Sequence, residues 1–341
     1  MKSTTQLPSI EGICKSQKQL SGYITETPLI NSPTLSYELQ ADVWIKDETV
    51  SPIHCFKHRG ALTHLLRARE STSITAAVTS STGNHGLGVA YAAKRLGVPA
   101  HIFLPTHASS VKLKAIQELG ATIHLTGADI DDAKETGRAF ARQPGYTFVD
   151  DGESMDVIEG AGTVGLEIAQ ALNHIDAVFI PMGSGSLGSG NACAIKSISP
   201  QTQIICVQSS GARAMAESFR QQRPVELPIN TIADGLVCRK PAKLALECLL
   251  AFINDVKIVH DVSILSAVHI LATRCKLLTE PSGAAGLAAL RTCRHEFVGK
   301  RVVIIVTGAN VSSDLLEDLN YAKINPSLTK SPVQISKEAE R

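Results

Sequence analysis

The stretch Ser51-Pro-Ile-His-Cys-Phe-Lys-His-Arg-Gly-Ala61 is the most informative segment of this 341-residue chain. Lys57 follows Phe56 and precedes an apolar run, so the pattern predicts a helix that begins in a loop after Pro52. A lysine buried beside an aromatic ring loses solvation, which disfavours its ammonium form and frees the amine to attack a carbonyl carbon. A surface lysine at a helix start is the alternative interpretation.

Composition limits the kinds of partner. The chain is 44% hydrophobic and 19% charged, so it can bury a large core and is long enough for two domains. Its formal net charge of +1 gives no general attraction to nucleic acid or to an anionic membrane. We therefore expect small molecules or copies of the same chain as partners, with no nucleic acid and no membrane.

The cysteines and the N-terminal residues indicate the cellular compartment of the protein. Eight cysteines occur singly, without Cys-x-x-Cys spacing, so neither a zinc site nor a disulfide framework is indicated. The first six residues lack the apolar segment of a secretory signal, and no run is long enough to span a bilayer. These features predict a cytoplasmic protein.

Short β-branched runs alternate with longer helical patterns along most of the chain. Strands are predicted at residues 43–45, 74–80, 99–104, 121–125, 176–181, 203–208 and 301–306, and helices at residues 86–96, 157–173 and 188–198. This alternation predicts an α/β fold with parallel sheets covered by helices.

Gly183-Ser-Gly-Ser-Leu-Gly188 follows a predicted strand and precedes a helix. The spacing also fits a nicotinamide dinucleotide fold, but that fold needs an acidic residue after the next strand, where this chain has Gln208. Backbone N–H groups and the hydroxyls of Ser184 and Ser186 could instead hold a phosphate at the helix N-terminus. A plain strand-to-helix turn is the simpler alternative.

Ser80-Ser-Thr-Gly-Asn-His-Gly86 is a second loop of this kind, and its backbone amides could bind a carboxylate. A simple N-cap turn is the alternative, and the two roles are compatible. Two later segments, Thr279–Gly286 and Val306–Asn310, also fall where ligands collect in open α/β sheets. Together with Lys57, these segments are expected to meet in one cleft.

From about Thr27 to Asp314 the chain resembles the fold-type II pyridoxal-phosphate enzymes, most closely the threonine/serine dehydratase and serine racemase branch. The motifs that carry the resemblance are Phe56-Lys57-x-Arg59-Gly60, Ser80–Gly86, Gly183–Leu187, Thr231–Gly235 and Glu280–Gly283. It implies a two-domain tryptophan-synthase-β-like fold. A large cofactor-binding domain would comprise residues 1–70 and 152–325, a small substrate-loop domain residues 71–151, and a tail residues 326–341.

The resemblance also implies roles for individual residues. Lys57 would hold the cofactor pyridoxal 5′-phosphate covalently, Asn84 would bond the ring's 3′ oxygen, and Thr307 would meet the pyridine nitrogen. The remaining cofactor-binding residues would be Phe56, Gly183, Ser184, Gly185, Ser186, Leu187 and Glu280. The substrate would be bound by Ser81, Thr82, Gly83, Asn84 and His85.

Three departures from the branch affect these expectations. Ser184 and Ser186 stand where the dehydratases usually have glycines. Thr82 replaces the serine that racemases use on the cofactor face opposite the lysine, which makes it the second candidate catalytic residue. Gln208 and Ala214 fall at the divalent-metal position and are not acidic, so no metal site is expected.

The resemblance favours β-elimination from a β-hydroxy amino acid such as L-threonine or L-serine, which yields a 2-oxo acid and ammonia. A serine racemase-type enzyme, with Thr82 as the second proton carrier, is one alternative. A β-replacement synthase of the cysteine type is another. A non-catalytic binding protein is the third, although it would have no reason to keep Lys57 buried and unpaired. Enzymes of this branch are commonly dimers, so a homodimer is expected.

Overall fold

The computed structural model describes residues 6–81, 83–107 and 110–311. Its helices are α1 (Ile10–Leu20), α2 (Pro33–Leu39), α3 (Lys57–Ser71), α4 (Asn84–Leu96), α5 (Ser110–Glu118), α6 (Ile130–Phe140), α7 (Met155–Ala171), α8 (Ser186–Ile198), α9 (Ala214–Gln221), α10 (Lys243–Phe252), α11 (Asp261–Arg274) and α12 (Pro281–Thr292). Short 3₁₀ helices occupy Asp234–Leu236 and Arg294–Phe297.

The strands are β1 (Leu29–Asn31), β2 (Asp42–Asp47), β3 (Ala76–Ser80), β4 (Ala100–Leu104), β5 (Thr122–Leu125), β6 (Tyr146–Phe148), β7 (Ala177–Pro181), β8 (Gln203–Ser209), β9 (Asp255–Val259) and β10 (Arg301–Val306). Within the described residues they form a six-stranded sheet, in the order β1-β2-β10-β7-β8-β9, and a four-stranded sheet, in the order β5-β4-β3-β6. Only the β1–β2 pair among these is antiparallel. The predicted α/β fold with parallel sheets flanked by helices is confirmed.

All strands of the smaller sheet lie between residues 76 and 148, inside the range 71–151 predicted for the inserted domain. The division into two domains stays a prediction, and the predicted tail, residues 326–341, lies outside the described residues. No helix in the described ranges is both long and apolar enough to cross a membrane.

Helix α8 begins two residues earlier than its sequence pattern predicted, for a backbone reason. Gly185 precedes the helix with φ of +96°, in the left-handed region that side chains other than glycine rarely adopt. This turn redirects the chain sharply after β7, so that α8 starts at Ser186. The first turn of α8 consequently lies at the carboxyl end of the larger sheet, where ligands of such sheets bind.

A buried network of charges joins β2, α3 and α7. The Arg59 guanidinium donates from Nε to Glu48 at 2.9 Å and from Nη1 to Glu167 at 2.5 Å. The Lys46 ammonium donates to Glu167 at 2.5 Å and to the carbonyl oxygen of Thr27 at 2.7 Å. Arg59, Glu48 and Lys46 are fully buried, and the two cations balance the two carboxylates. Removing one partner would leave an uncompensated charge in the core.

We predict that Arg59→Met lowers the free energy of unfolding by about 3–5 kcal/mol, because Glu48 and Glu167 would remain buried without their shared cation. Urea unfolding followed by circular dichroism measures the change. The matched control is Lys15→Met, since Lys15 pairs with Glu70 on the surface. Exposed pairs contribute little, so the control should unfold like the wild type. Equal stability of Arg59→Met and the wild type would contradict the importance of the network.

Candidate active site

A cleft with a volume of about 550 Å³ opens between the carboxyl ends of the two sheets. Every predicted site residue in the described part of the chain lines this cleft: Phe56, Lys57, Ser81, Gly83, Asn84, His85, Gly183, Ser184, Gly185, Ser186, Leu187, Glu280 and Thr307. Thr82 lies outside the described residues. Segments far apart in the sequence therefore meet here, although the role of each residue stays a prediction.

Backbone hydrogen bonds fix the start of α3 against the end of β10. The Phe56 N–H donates to the carbonyl oxygen of Thr307 at 3.2 Å, and Cys55 pairs with Gly308 in an isolated bridge. Lys57 is the first residue of α3, so these contacts set the direction of its side chain. Its Nζ lies 5.0 Å from the centroid of the Phe56 ring.

The Lys57 ammonium is paired with a carboxylate. Lys57 Nζ lies 2.6 Å from both carboxylate oxygens of Asp151, and its side chain is 14% exposed. Burial alone would raise the pKa of Asp151, but the Lys57 charge and hydrogen bonds hold that pKa well below its usual range. The burial of Lys57 agrees with the sequence pattern. The expectation of an unpaired lysine is wrong for this arrangement, because Asp151 neutralises it.

The serine loop before α8 forms an anion-binding cup. Ser184 Oγ donates to Asp151 Oδ2 at 3.0 Å, and Ser186 Oγ donates to Asp151 Oδ1 at 3.2 Å. Gly183 allows the loop to pass close to Gly235, since an added Cβ would lie 2.5 Å from the Gly235 carbonyl oxygen. Hydroxyls at a helix N-terminus stabilise negative charge. The Asp151 carboxylate shows that this cup holds an anionic group.

The loop between β3 and α4 presents several polar groups to the cleft. The Gly83 N–H donates to Ser81 Oγ at 3.2 Å, a local contact just before α4. His85 Nε2 lies 3.0 Å from the carbonyl oxygen of Val149, while His85 Nδ1 lies 3.6 Å from Asp151 Oδ1. Burial lowers the pKa of His85, and the Asp151 carboxylate only partly offsets this effect.

Asn84 is held by two side chains from the other side of the cleft. Its Nδ2 donates to Glu280 Oε1 at 2.7 Å, and its Oδ1 accepts a hydrogen bond from Asn310 Nδ2 at 2.7 Å. The Glu280 N–H in turn donates to the carbonyl oxygen of Gly308 at 3.0 Å. These contacts orient the Asn84 amide and connect the α4 loop to the end of β10.

Sequence reasoning missed Asp151 and Asn310. Asp151 lies three residues after β6, a strand of only three residues that had not been predicted. Asn310 lies in the quoted Val306–Asn310 segment, but nothing local indicated its contact with Asn84, 226 residues away. The rule that polar residues after parallel strands meet at one edge already applies to Asn310 after β10, and it would have pointed to Asp151 had β6 been recognised.

The fold and the cleft define an α/β protein of the fold-type II class, in which a lysine faces an anion-binding loop. The family model described as "Pyridoxal-phosphate dependent enzyme" matches residues 20–308. This chain therefore belongs to the pyridoxal-phosphate dependent enzymes, and its cofactor is pyridoxal 5′-phosphate.

The chain is similar to ammonia-lyases and to a racemase within this family. The L-threo-3-hydroxyaspartate ammonia-lyase of a Pseudomonas species is 34% identical over 307 residues, which cover 90% of this chain and 96% of that protein. The L-threonine ammonia-lyase of Thermotoga maritima is 32% identical over 324 residues, covering 95% and 80% respectively. The structure of maize serine racemase superposes with a TM-score of 0.86 at 30% identity, covering 94% of this chain and 99% of that one.

The residues of the cleft suit this cofactor. Ser184 and Ser186 already donate to a carboxylate, which is an anion as a phosphate is. His85 Nδ1 and Ser80 Oγ are buried polar atoms without a hydrogen-bond partner among the described residues, so each can accept one from a ligand group. Lys57 would hold the aldehyde carbon, the Gly183–Leu187 loop the phosphate, and Asn84 and Thr307 the ring.

We predict that borohydride treatment of the purified protein fixes the cofactor on Lys57, because reduction makes the lysine–cofactor link permanent. Peptide mass mapping locates the label. Lys46 is an internal control, since it is fully buried but enclosed by Glu167 and Thr27. A second control is Lys57→Arg, which keeps a positive charge opposite Asp151 but cannot form the link. A label on another lysine would contradict the assignment.

The predicted lack of a metal site concerns the end of β8. Gln208 is fully buried, and its Oε1 accepts a hydrogen bond from the Ala216 N–H at 2.8 Å. Ala214, at the start of α9, offers only a methyl group. Among the described residues, no cluster of three or more His, Cys, Asp or Glu side chains is arranged to hold a metal ion. The absence of a metal site nevertheless stays a prediction.

We predict that a chelator and millimolar magnesium both leave the thermal midpoint and the activity unchanged. Neutral groups at Gln208 and Ala214 supply no negative charge to offset dehydration of a divalent ion. An ion that binds the folded state weakly adds little stability. Calorimetry with and without chelator measures the midpoint. Loss of activity on chelation, reversed by magnesium, would mean that other ligands supply the charge.

Proposed function

We propose that this chain is an ammonia-lyase that removes the β-hydroxyl and the amino group from L-threonine or L-serine and releases a 2-oxo acid and ammonia. The proposal depends chiefly on one observation, the cleft in which Lys57 lies beside the serine cup and opposite the Asn84 loop. The ammonia-lyase relatives, similar over most of their length, support this reaction class over others on the same scaffold.

Each residue has a task in this proposal. Pyridoxal phosphate, when bound, supplies the electron sink that stabilises negative charge at the substrate Cα. Lys57 Nζ takes the Cα proton as general base. The backbone amides of Ser81 and His85 would bind the substrate carboxylate, and the Gly83 N–H would join them by exchanging its bond to Ser81 Oγ for one to the substrate. Glu280 and Asn310 orient Asn84 for the cofactor ring. Thr307 offers a hydroxyl that cannot stabilise a protonated pyridine as a carboxylate would, which favours prompt elimination.

A racemase is the second candidate, supported by the similarity to maize serine racemase. Racemisation needs a proton carrier on the face opposite Lys57, and Thr82 is the residue that the sequence offers for it. A β-replacement synthase of the cysteine type would share the site but would require an added nucleophile such as sulfide.

We further propose that the enzyme acts on free amino acids as a cytoplasmic homodimer. The eight cysteines are all free, which agrees with a reducing compartment. Sedimentation velocity on the purified protein tests the oligomeric state. A monomer at micromolar concentration would contradict that part of the proposal.

We predict that the wild type releases 2-oxo acid and ammonia in equal amounts from L-threonine or L-serine, faster than it forms the opposite enantiomer. A coupled dehydrogenase assay and chiral chromatography measure the two products. L-threo-3-hydroxyaspartate should be included as a third substrate. Lys57→Arg should reduce oxo-acid release by at least about 100-fold, because the arginine keeps the charge but cannot act as a base.

Other outcomes separate the alternatives. Faster formation of the enantiomer than of the oxo acid would identify a racemase. Turnover only in the presence of sulfide would identify a synthase. Binding of an amino acid without any product would favour a non-catalytic binding protein.

A further inference from the structure

Asp151 stands out among the residues of the cleft because the proposed function gives it no task. Its side chain is one-quarter exposed, and its carboxylate touches the two parts of the site that the cofactor needs. One contact is the salt bridge to Lys57 Nζ, and the other is the pair of hydrogen bonds from Ser184 and Ser186. A carboxylate therefore occupies the hydrogen-bond donors of the cup assigned to the phosphate.

A phosphate and a carboxylate cannot share these donors without cost. Each serine hydroxyl has one proton to donate, so a bond to Asp151 excludes a bond to a phosphate oxygen. Two anions a few ångströms apart also repel each other strongly in a partly buried site. When the phosphate enters the cup, the Asp151 carboxylate must turn away from both serines.

His85 offers the carboxylate another hydrogen-bond donor. His85 Nδ1 lies 3.6 Å from Asp151 Oδ1 and has no hydrogen-bond partner within the described residues, although 95% of the residue is buried. His85 Nε2 contacts the Val149 carbonyl oxygen at 3.0 Å, so the neutral ring carries its proton on Nε2. Nδ1 can donate to Asp151 only when the ring takes up a second proton, which burial disfavours and the approaching Asp151 carboxylate favours by raising the pKa of His85. A small rotation of Asp151 would replace the serine bonds with a bond to His85.

We propose that Asp151 competes with the cofactor's phosphate for the hydroxyls of Ser184 and Ser186, and thereby sets the affinity of this chain for pyridoxal phosphate, with His85 receiving the displaced carboxylate. The inference rests on the proposed function in assigning the serine loop to the phosphate. In this proposal the two serines have a second effect besides binding the phosphate, which is to hold Asp151 in the cup. Glycines in their place would lack the hydroxyls that bind Asp151.

The test is a titration of the full-length protein with pyridoxal phosphate after its cofactor has been removed by dialysis against hydroxylamine. Asp151→Asn keeps the shape of the side chain but removes its charge. The dissociation constant of this variant for pyridoxal phosphate should therefore be lower than that of the wild type by at least about tenfold. The matched control is Asp156→Asn, since Asp156 pairs with Arg67 outside the cleft. It should bind the cofactor like the wild type.

Pyridoxal, which lacks the phosphate, separates two explanations. Asp151 also pairs with Lys57, and an effect through the lysine amine would change the affinity for both aldehydes. If Asp151 competes for the cup, Asp151→Asn should gain much more affinity for pyridoxal phosphate than for pyridoxal. Equal changes for the two aldehydes, or weaker binding of pyridoxal phosphate by Asp151→Asn, would overturn the proposal.

A double-mutant cycle tests the part played by His85. His85→Phe should weaken binding of pyridoxal phosphate in the wild-type background, yet have little effect in the Asp151→Asn background, where no charge needs a new partner. Thermal midpoints confirm that each variant is folded. Additive effects would overturn the role of His85. Failure of borohydride to label Lys57 would instead contradict the proposed function, so the two failures can be distinguished.

Discussion

The buried Arg59 guanidinium, held between Glu48 and Glu167, is the interaction on which the geometry of the site depends. Charges taken out of water are tolerated only with close partners, so this contact fixes the relative positions of β2, α3 and α7. Lys57 precedes Arg59 by two residues in the first turn of α3. The position of Lys57, the proposed cofactor lysine, therefore follows from an ion network whose residues do not line the cleft.

The floor of the cleft depends on a second constraint, the backbone carbonyl groups just after β10, which bond to loop segments and not to a neighbouring strand. The end of β10 binds two segments at once, since Thr307 accepts from the Phe56 N–H and Gly308 from the Glu280 N–H. Glu280 then orients Asn84, the first residue of the helix that follows β3 of the smaller sheet. Polar groups from segments next to both sheets are in this way connected through hydrogen bonds to the end of one strand. Such support gives a site the rigidity that catalysis requires.

The fold was predictable because its signals are local. Alternating strand and helix patterns, and glycine loops directly after strands, are visible in a single segment of sequence. Pairings across long distances are not, as the bond between Lys57 and Asp151 illustrates, since 94 residues separate them. Strand β6 was missed because it has three residues and only partly buried side chains, and Asp151 was missed with it. The sequence around Lys57 predicted that its side chain is largely buried, but it did not predict the pairing with Asp151.

The central claim is that Lys57, the serine cup and the Asn84 loop together hold one cofactor molecule. A crystal structure of the protein with pyridoxal phosphate bound tests this most directly. The account predicts continuous electron density from Lys57 Nζ to the cofactor, with the phosphate against Ser184 and Ser186 at the start of α8 and Asp151 turned towards His85. Density for the phosphate elsewhere in the cleft, with Asp151 still bound to both serines, would contradict it.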